Sequence, residues 1–309
     1  MSQAPNPFCN RGVITDPDDF FGRENQIAEI ITRLGTMQST SVVGERRIGK
    51  SSLLYHLCQT GARRLKNESY RFCYVDLQDA HYHTAVGFFQ TLLQKLKAPT
   101  DAVKTENSLN RNLIAFSDQI EALEGEGLRL VFCLDEFENV FRHSEQFTED
   151  FFEHIRAQLN TRKMAFVTST ERSLQNLFFE GKPSSPFYNL FSVVELREFT
   201  EEQARQFLAA YDERVSFTDE ELLFILSHLE THPLKLRILC DWVLRNRRRG
   251  LGEKALVAEI AREYGNFLIG RFNPKRLLMA KRALSVDNVR KLLETFKTAR
   301  GILSGSGKE

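Results

Sequence analysis

Apolar positions along the chain change their spacing in a repeating order. Behind Phe20-Phe21-Gly22-Arg23-Glu24, Ile27, Ile30, Ile31 and Leu34 recur three and four residues apart and predict an amphipathic helix that Gly35 ends. Thr40 to Val43 is a short β-branched run of strand type. Helical spacing returns over 49–60, a strand pattern over Tyr70 to Leu77, and helices over 84–97 and 106–124, the last with Leu109, Leu113, Phe116, Ile120 and Leu123 on one face. Gly125 and Gly127 punctuate, and Leu128 to Leu134 is an unbroken apolar run of strand length. A helix over 145–160 and strands over Met164 to Thr168 and Phe191 to Leu196 follow. Near-continuous apolar strands alternating with helices predict an α/β unit with five parallel strands, covered on both faces.

After Leu196 the strand pattern stops. Thr200 with Gln203, and Thr218 with Glu221, are spaced as capping boxes. They open helices over 201–211 and 219–229, with further helices over 233–248 and near 254–269. The expected organisation is an extended, turn-rich arm over 1–19 (Pro5, Asn6, Pro7, Gly12, Pro17), a sheet domain over 20–197 and a small all-helical unit over 198–270. A C-terminal tail over 271–309 carries the glycine-rich stretch Gly301 to Gly307.

Composition adds exclusions. The 309 residues suffice for one large domain or two small ones. With 42 basic and 41 acidic residues the net charge is +1, which argues against a polybasic nucleic-acid binder or an acidic solvating tail. The five cysteines are scattered without a C-x-x-C pair, so neither a zinc site nor a disulfide framework is written, and a reducing compartment is expected. No apolar run reaches the ~20 residues of a membrane span. The first residues lack the charged and apolar regions of a signal peptide. A soluble cytoplasmic protein is the expectation.

The chemistry begins at Gly44-Glu45-Arg46-Arg47-Ile48-Gly49-Lys50-Ser51, which satisfies G-x-x-x-x-G-K-[ST] with a strand before it and an apolar helix (Leu53, Leu54, Leu57) after it. Glycines let backbone N–H groups approach phosphate oxygens, and the helix N-terminus adds partial positive charge. Lys50 suits the β- and γ-phosphates, and the Ser51 hydroxyl suits Mg²⁺, a hard cation that prefers oxygen. The run from Gly44 through Ser52 is therefore the expected nucleotide cradle. The buried strand over 128–134 then ends in Asp135-Glu136. Two carboxylates there call for a cation, with Asp135 holding Mg²⁺ through water and Glu136 orienting the attacking water. The competing reading of Asp135 is a helix cap.

These residues, in the order Phe21-Gly22-Arg23-Glu24, phosphate loop, Asp135-Glu136, Thr168-Ser169-Thr170 and His232-Pro233, resemble AAA+-related P-loop ATPases. The branch most similar is the STAND class of signalling NTPases with the related prokaryotic AAA-like ATPases, over roughly residues 5–250. The resemblance implies a three-layer P-loop NTPase sandwich with a helical lid, and ATP or ADP as the nucleotide. It also implies contact of Phe20, Phe21, Gly22 and Arg23 with the adenine, and a γ-phosphate sensor at Ser169 or Thr170. Arg172 stands where STAND proteins carry a phosphate-sensing arginine, and Pro233, beside His232, would close over the base. Thr231 departs from the glycine common two residues before that proline, and no sensor-2 arginine is evident beyond Lys235 or Arg237. STAND proteins usually continue into a winged helix and a repeat-built sensor, for which residues 271–309 are too few.

The expected function is an Mg-dependent ATP switch with slow hydrolysis, acting in signalling on an unidentified protein partner, with oligomerisation left open. The alternatives are a DNA-associated AAA+ ATPase of origin-recognition or transposition-helper type, and a nucleotide-holding scaffold without turnover. The basic run Arg245-Asn246-Arg247-Arg248-Arg249 reads more readily as helix C-terminal charge than as a nucleic-acid patch. The 25 phenylalanines read mainly as core, with Leu177 to Tyr188 as a loop able to meet a partner, and His81 and His83 read as a loop without metal partners.

Overall fold

The computed structural model describes residues 6–181, 186–228 and 231–252, with residues 255, 256, 258, 259 and 262. Two compact units divide the chain, one formed by Val13–Arg197 and the other by Met1–Gly12 with Glu198–Glu309.

In the first unit the elements alternate as α1 (Glu24–Leu34), β1 (Ser39–Gly44), α2 (Lys50–Arg64), β2 (Tyr70–Asp76), α3 (Ala85–Lys95), α4 (Leu109–Gly125), β3 (Arg129–Asp135), the single turn α5 (Asn139–Arg142), α6 (Glu149–Asn160), β4 (Met164–Thr170), α7 (Leu174–Gly181) and β5 (Phe191–Leu196). The five strands form one sheet in the order β2-β3-β4-β1-β5, every neighbouring pair parallel. The chain moves one way across the sheet from β1 to β2 and the other way from β2 onward, so right-handed crossovers place helices on both faces.

The helices divide between those faces by the character of their buried stripe. Ile27, Ile30 and Leu34 of α1 and Leu53, Leu54 and Leu57 of α2 pack on one face against Val42, Val131, Cys133 and Val167. The other face is filled with phenylalanine. Phe88 and Phe89 of α3, Phe116 of α4, and Phe151 and Phe152 of α6 meet Phe132 and Phe166 of the sheet. Their rings lie edge-to-face or tilted, Phe88 to Phe151 at 5.6 Å and Phe89 to Phe116 at 4.7 Å. Each buried ring contributes about 1.5–3 kcal/mol through area alone. The abundant phenylalanine is thus core, as its clustering in sequence predicts.

Two short helices lie where the sequence pattern predicts none. The helix α7 occupies the first part of the segment expected as a loop, burying Leu174, Leu177 and Phe178 at helical spacing and leaving Phe179 exposed. The turn α5 is only four residues long, below the length at which periodicity registers.

The second unit holds α8 (Glu201–Val215), α9 (Asp219–Ser227) and α10 (Pro233–Asn246). Both capping boxes are formed. The Gln203 N–H donates to Thr200 Oγ1 at 3.1 Å and the Glu221 N–H to Thr218 Oγ1 at 3.2 Å, each with the reciprocal side-chain bond. The leading residues are not the uniform extended arm that their prolines suggest. Phe8 is wholly buried in this unit, 4.7 Å from Tyr211 and near Phe207 and Phe217. Asn6 and Arg11 both bond the fully buried Asp241, which also pairs with Arg245 at 2.9 Å. A turn at Asn6, whose side chain and carbonyl accept the Phe8 and Cys9 N–H groups, sets the path, but one aromatic ring and one buried carboxylate fix the end. The rest of the helix expected near 254–269, and the tail over 271–309, lie outside the described residues.

Candidate functional site

The β1 strand delivers its chain to the C-terminal edge of the sheet, where Gly44 begins a tight reversal. A Cβ at Gly44 would sit 2.8 Å from the Leu196 carbonyl oxygen of β5 and 2.9 Å from Ile48 Cγ2, so no side chain fits. Gly49 lies at φ +105° and caps α2, a conformation L residues rarely adopt. Between them Arg47 takes φ +65° and, with Glu45 and Arg46, stays exposed, while Ile48 is buried. Lys50 is nearly buried, and its ammonium donates to the Gly44 carbonyl at 2.8 Å and the Glu45 carbonyl at 3.1 Å. The cation is thereby folded onto its own loop, at the N-terminus of α2 beside Ser51 and Ser52. The Ser52 hydroxyl accepts the Ile14 N–H at 3.0 Å.

Arg23 sits behind the loop. It is 4% exposed, and its guanidinium donates to the Ile48 carbonyl at 3.1 Å. Burial lowers its pKa to about 10, opposed by the neighbouring Glu24. Its position gives it a part in shaping the loop that the sequence reading does not assign. Gly22, at φ +77°, turns the chain ahead of it, Phe21 is half-buried, and Phe20 stacks on His56 of α2 at 4.4 Å. Burial and the nearby Arg64 hold that imidazole's pKa below its ordinary value.

Two strands away, β3 ends in Asp135 at the same edge. Its carboxylate is 2% exposed, and the Tyr74 hydroxyl donates to Oδ2 at 2.8 Å while the Ser169 hydroxyl donates to Oδ1. Among the described residues no cation forms an ion pair with it. A buried carboxylate held only by hydroxyls is costly unless a cation completes it. The donor set, one carboxylate with the Ser51 hydroxyl at the head of α2, suits the oxygen preference of Mg²⁺. Burial first, and the Asp135 carboxylate next, raise the Tyr74 pKa far above its usual value. Asp135 is thus no helix cap: its oxygens bond side-chain hydroxyls.

Glu136 then turns the chain at φ +52°, left-handed for a residue with a side chain. Four hydrogen bonds hold the turn: the Glu136 N–H to Ser169 Oγ at 3.1 Å, the Phe137 N–H to the Ser169 carbonyl at 2.9 Å, and both the N–H and Nδ2 of Asn139 to the Glu136 carbonyl at 3.0 Å. Ser169 therefore binds Asp135 and Glu136 together, a bridging part the family resemblance does not supply. Thr170, the other sensor expected, is fully buried with its hydroxyl unpartnered among the described residues.

Arg172 is exposed, and its guanidinium bonds Glu180 of α7 at 2.5 Å. His81 pairs with Asp79 at 2.7 Å in a helical turn, and His83 stacks on His143 at 4.2 Å. Among the described residues no group of three or more histidine, cysteine or acidic side chains is placed to hold a metal, and no helix is long and apolar enough to cross a membrane.

In the helical unit Pro233 occupies the first turn of α10 behind the buried His232. Thr231 bonds Glu198 at 2.6 Å through its hydroxyl. Arg237 is spent internally, donating to the Tyr211 hydroxyl at 3.0 Å and the Pro7 carbonyl at 2.6 Å.

One residue of the loop region carries no motif signal at all. Glu138, three positions past Asp135, is drawn inward by the left-handed turn, and its Oε1 accepts the Glu171 N–H at 3.2 Å. Only the folded chain places it, because its bonded neighbour Glu171 lies just past the end of β4.

Strand order, phosphate loop and acidic strand end together define an AAA+-related P-loop NTPase. The chain belongs to the novel STAND NTPase 1 family, whose model matches residues 14–236, that is 223 of 309. No curated protein matches it in sequence. Solved structures with the same fold include the ORC2 protein of Aeropyrum pernix in ADPNP–ADP complexes, at 14% identity and a TM-score of 0.60, over 84% of this chain and 71% of that one. A Walker-type ATPase of Pyrococcus abyssi is similar at 17% identity and TM-score 0.60, over 90% and 80% of the two chains. The A. pernix ORC1 protein, solved in complex with DNA, is similar at 13% identity and TM-score 0.56, over 94% and 86%.

Proposed function

We propose that the protein binds MgATP at the loop Gly44–Ser52 and hydrolyses it slowly to ADP and phosphate, as a nucleotide-controlled switch acting in cytoplasmic signalling on a protein partner. The observation that carries this reading is the shared edge: the loop after β1 and the carboxylates after β3 lie at the same end of a parallel sheet, separated only by β4. Lys50, released from the Gly44 and Glu45 carbonyls, would take the β- and γ-phosphate oxygens, with the α2 amides beside it. Ser51 and Asp135 would hold Mg²⁺, whose charge, when bound, neutralises oxygens of the phosphate chain. Glu136 would orient water toward the γ-phosphate, and Arg172 would leave Glu180 to meet developing charge.

The test is equilibrium nucleotide binding alongside single-turnover phosphate release. Glu136→Gln should bind MgATP as wild type does and release phosphate at least 100-fold more slowly. Release at the wild-type rate removes the role given to Glu136.

A DNA-associated reading has support in the ORC1–DNA relative. The arginines of 245–249 weigh against it here. Arg245 is paired with Asp241, Arg247 with Glu221 and Arg249 with Glu259, so much of the basic run is neutralised within its own unit. Salt-dependent DNA binding would reverse that preference.

A further inference from the structure

The helical unit carries a cavity of about 430 Å³, where Asn6 and Cys9 of the leading segment meet the ends of α8 and α10. Among the described residues that line it are four arginines, Arg214, Arg245, Arg247 and Arg248, against a single carboxylate, Asp241. That carboxylate is fully buried and divides its charge between Arg11 and Arg245, while accepting a bond from Asn6 Nδ2 at 2.8 Å. Arg245 holds it through Nε at 3.0 Å and a terminal nitrogen at 2.9 Å, yet its side chain is 46% exposed. Its orientation is thus fixed from behind while it still lines the cavity. Arg247 has a different task. It binds Glu221 through two bonds of 2.6 Å and covers the Val215 and Ser216 carbonyls, at 3.2 and 2.9 Å. Those carbonyls form the negative end of α8 and, left bare, would repel an anion. Arg214 and Arg248 are exposed at the wall, the Arg214 guanidinium 5.3 Å from the centre of the Tyr211 ring. Leu244 and Val215 add apolar lining.

Cavities of this size hold small molecules. Guanidiniums recognise phosphate through paired N–H donors, and several around one hollow call for more than one negative charge. A DNA duplex spreads its charge along a rod, whereas these cations converge on one concave place. We propose that the cavity is a binding site for a small polyphosphate anion, seated on Arg214, Arg245 and Arg248 and formed by the helical unit alone. The bound anion ties the leading segment to α8 and α10 and so stabilises that unit. The proposal stands apart from the ATPase reading, since no residue of the loop Gly44–Ser52 takes part.

Cys9 is exposed and lines the cavity, so it reports on occupancy. The full-length protein is alkylated with N-ethylmaleimide, a neutral reagent, and the rate at Cys9 is followed by peptide mass spectrometry. The probes are inorganic pyrophosphate, inorganic phosphate and a short duplex DNA, each against sodium chloride at equal ionic strength. Pyrophosphate at about 1 mM should slow Cys9 alkylation about sixfold, as the factor 1 + [L]/Kd gives for a Kd of about 0.2 mM. Phosphate should protect less, and chloride and DNA hardly at all. Protection should persist in Lys50→Ala, which removes the cation of the phosphate loop, and should fall below about twofold in Arg214→Gln/Arg248→Gln. Circular dichroism and Trp242 fluorescence check that this double variant folds. Absence of protection by pyrophosphate in wild type overturns the proposal, as does equal protection by phosphate or chloride. Protection by DNA alone would make the surface a nucleic-acid interface instead, and loss of protection in Lys50→Ala would move the anion to the phosphate loop; either result also overturns it. Undiminished protection in the folded double variant removes the arginines from the site. If that variant does not fold, the wild-type and Lys50→Ala measurements decide without it.

Discussion

Ser169 offers the sharpest test of how the acidic edge is built. Its hydroxyl donates to the buried Asp135 carboxylate and accepts the Glu136 N–H, so Ser169→Ala removes two bonds for a single oxygen. The bond to the carboxylate is charge-assisted and worth about 1.5–3 kcal/mol. The Glu136 N–H is left without its acceptor, but Glu136 is half-buried and water can reach it, so that loss sits near the low end, about 1 kcal/mol. The sum is about 2.5–4 kcal/mol of sheet-unit stability. Urea unfolding followed by far-UV circular dichroism measures it. Tryptophan fluorescence would not, because the single tryptophan, Trp242, lies in the helical unit. Freed from Ser169, Glu136 also loses part of what holds it left-handed, and phosphate release should fall tenfold or more, since misplacement by an ångström costs that much. A variant within 0.5 kcal/mol of wild type, with unaltered release, would refute the bridge as a structural or catalytic element.

Other expectations follow from the same geometry. Lys50→Ala should weaken MgATP binding by about 1.5–3 kcal/mol, roughly 10- to 150-fold in Kd, measured by titration calorimetry. Gly44→Ala forces a Cβ to 2.8 Å from the Leu196 carbonyl and should cost about 1–3 kcal/mol in denaturant unfolding, with weakened nucleotide binding because the loop itself shifts. Phe8→Ala empties a fully buried site and should cost the helical unit about 3–5 kcal/mol, read through the fluorescence of Trp242.

The parts legible in sequence are those where one residue type has one job. Gly44, Gly49 and Lys50 announce the loop because backbone approach and a positive φ leave few choices. The apolar run from Leu130 to Leu134 announces a strand buried on both faces, and Thr200 and Thr218 announce helix starts. What stayed hidden depends on long-range placement. Phe8 stands among prolines that read as an exposed arm, and nothing local says that Tyr211 and Phe217 enclose it. The helix α7 is too short for its spacing to outvote the breakers that follow. That Ser169 also bonds Asp135 and Glu136 shows only in the fold, where β4 runs beside β3. Glu138 reads as one acid among several, because only the fold, with its left-handed turn at Glu136 two positions earlier, sets it against Glu171.

The position of Phe8 has a consequence for synthesis. The side chains that enclose it begin with Phe207, 199 positions later in the chain. At about 5–20 residues per second the ribosome takes roughly 10–40 s to make them. During that interval the ring has no home, while the sheet unit has time to form. The helical unit must therefore take up the segment around Phe8 late, and a nascent chain halted before residue 207 would present that phenylalanine to chaperones.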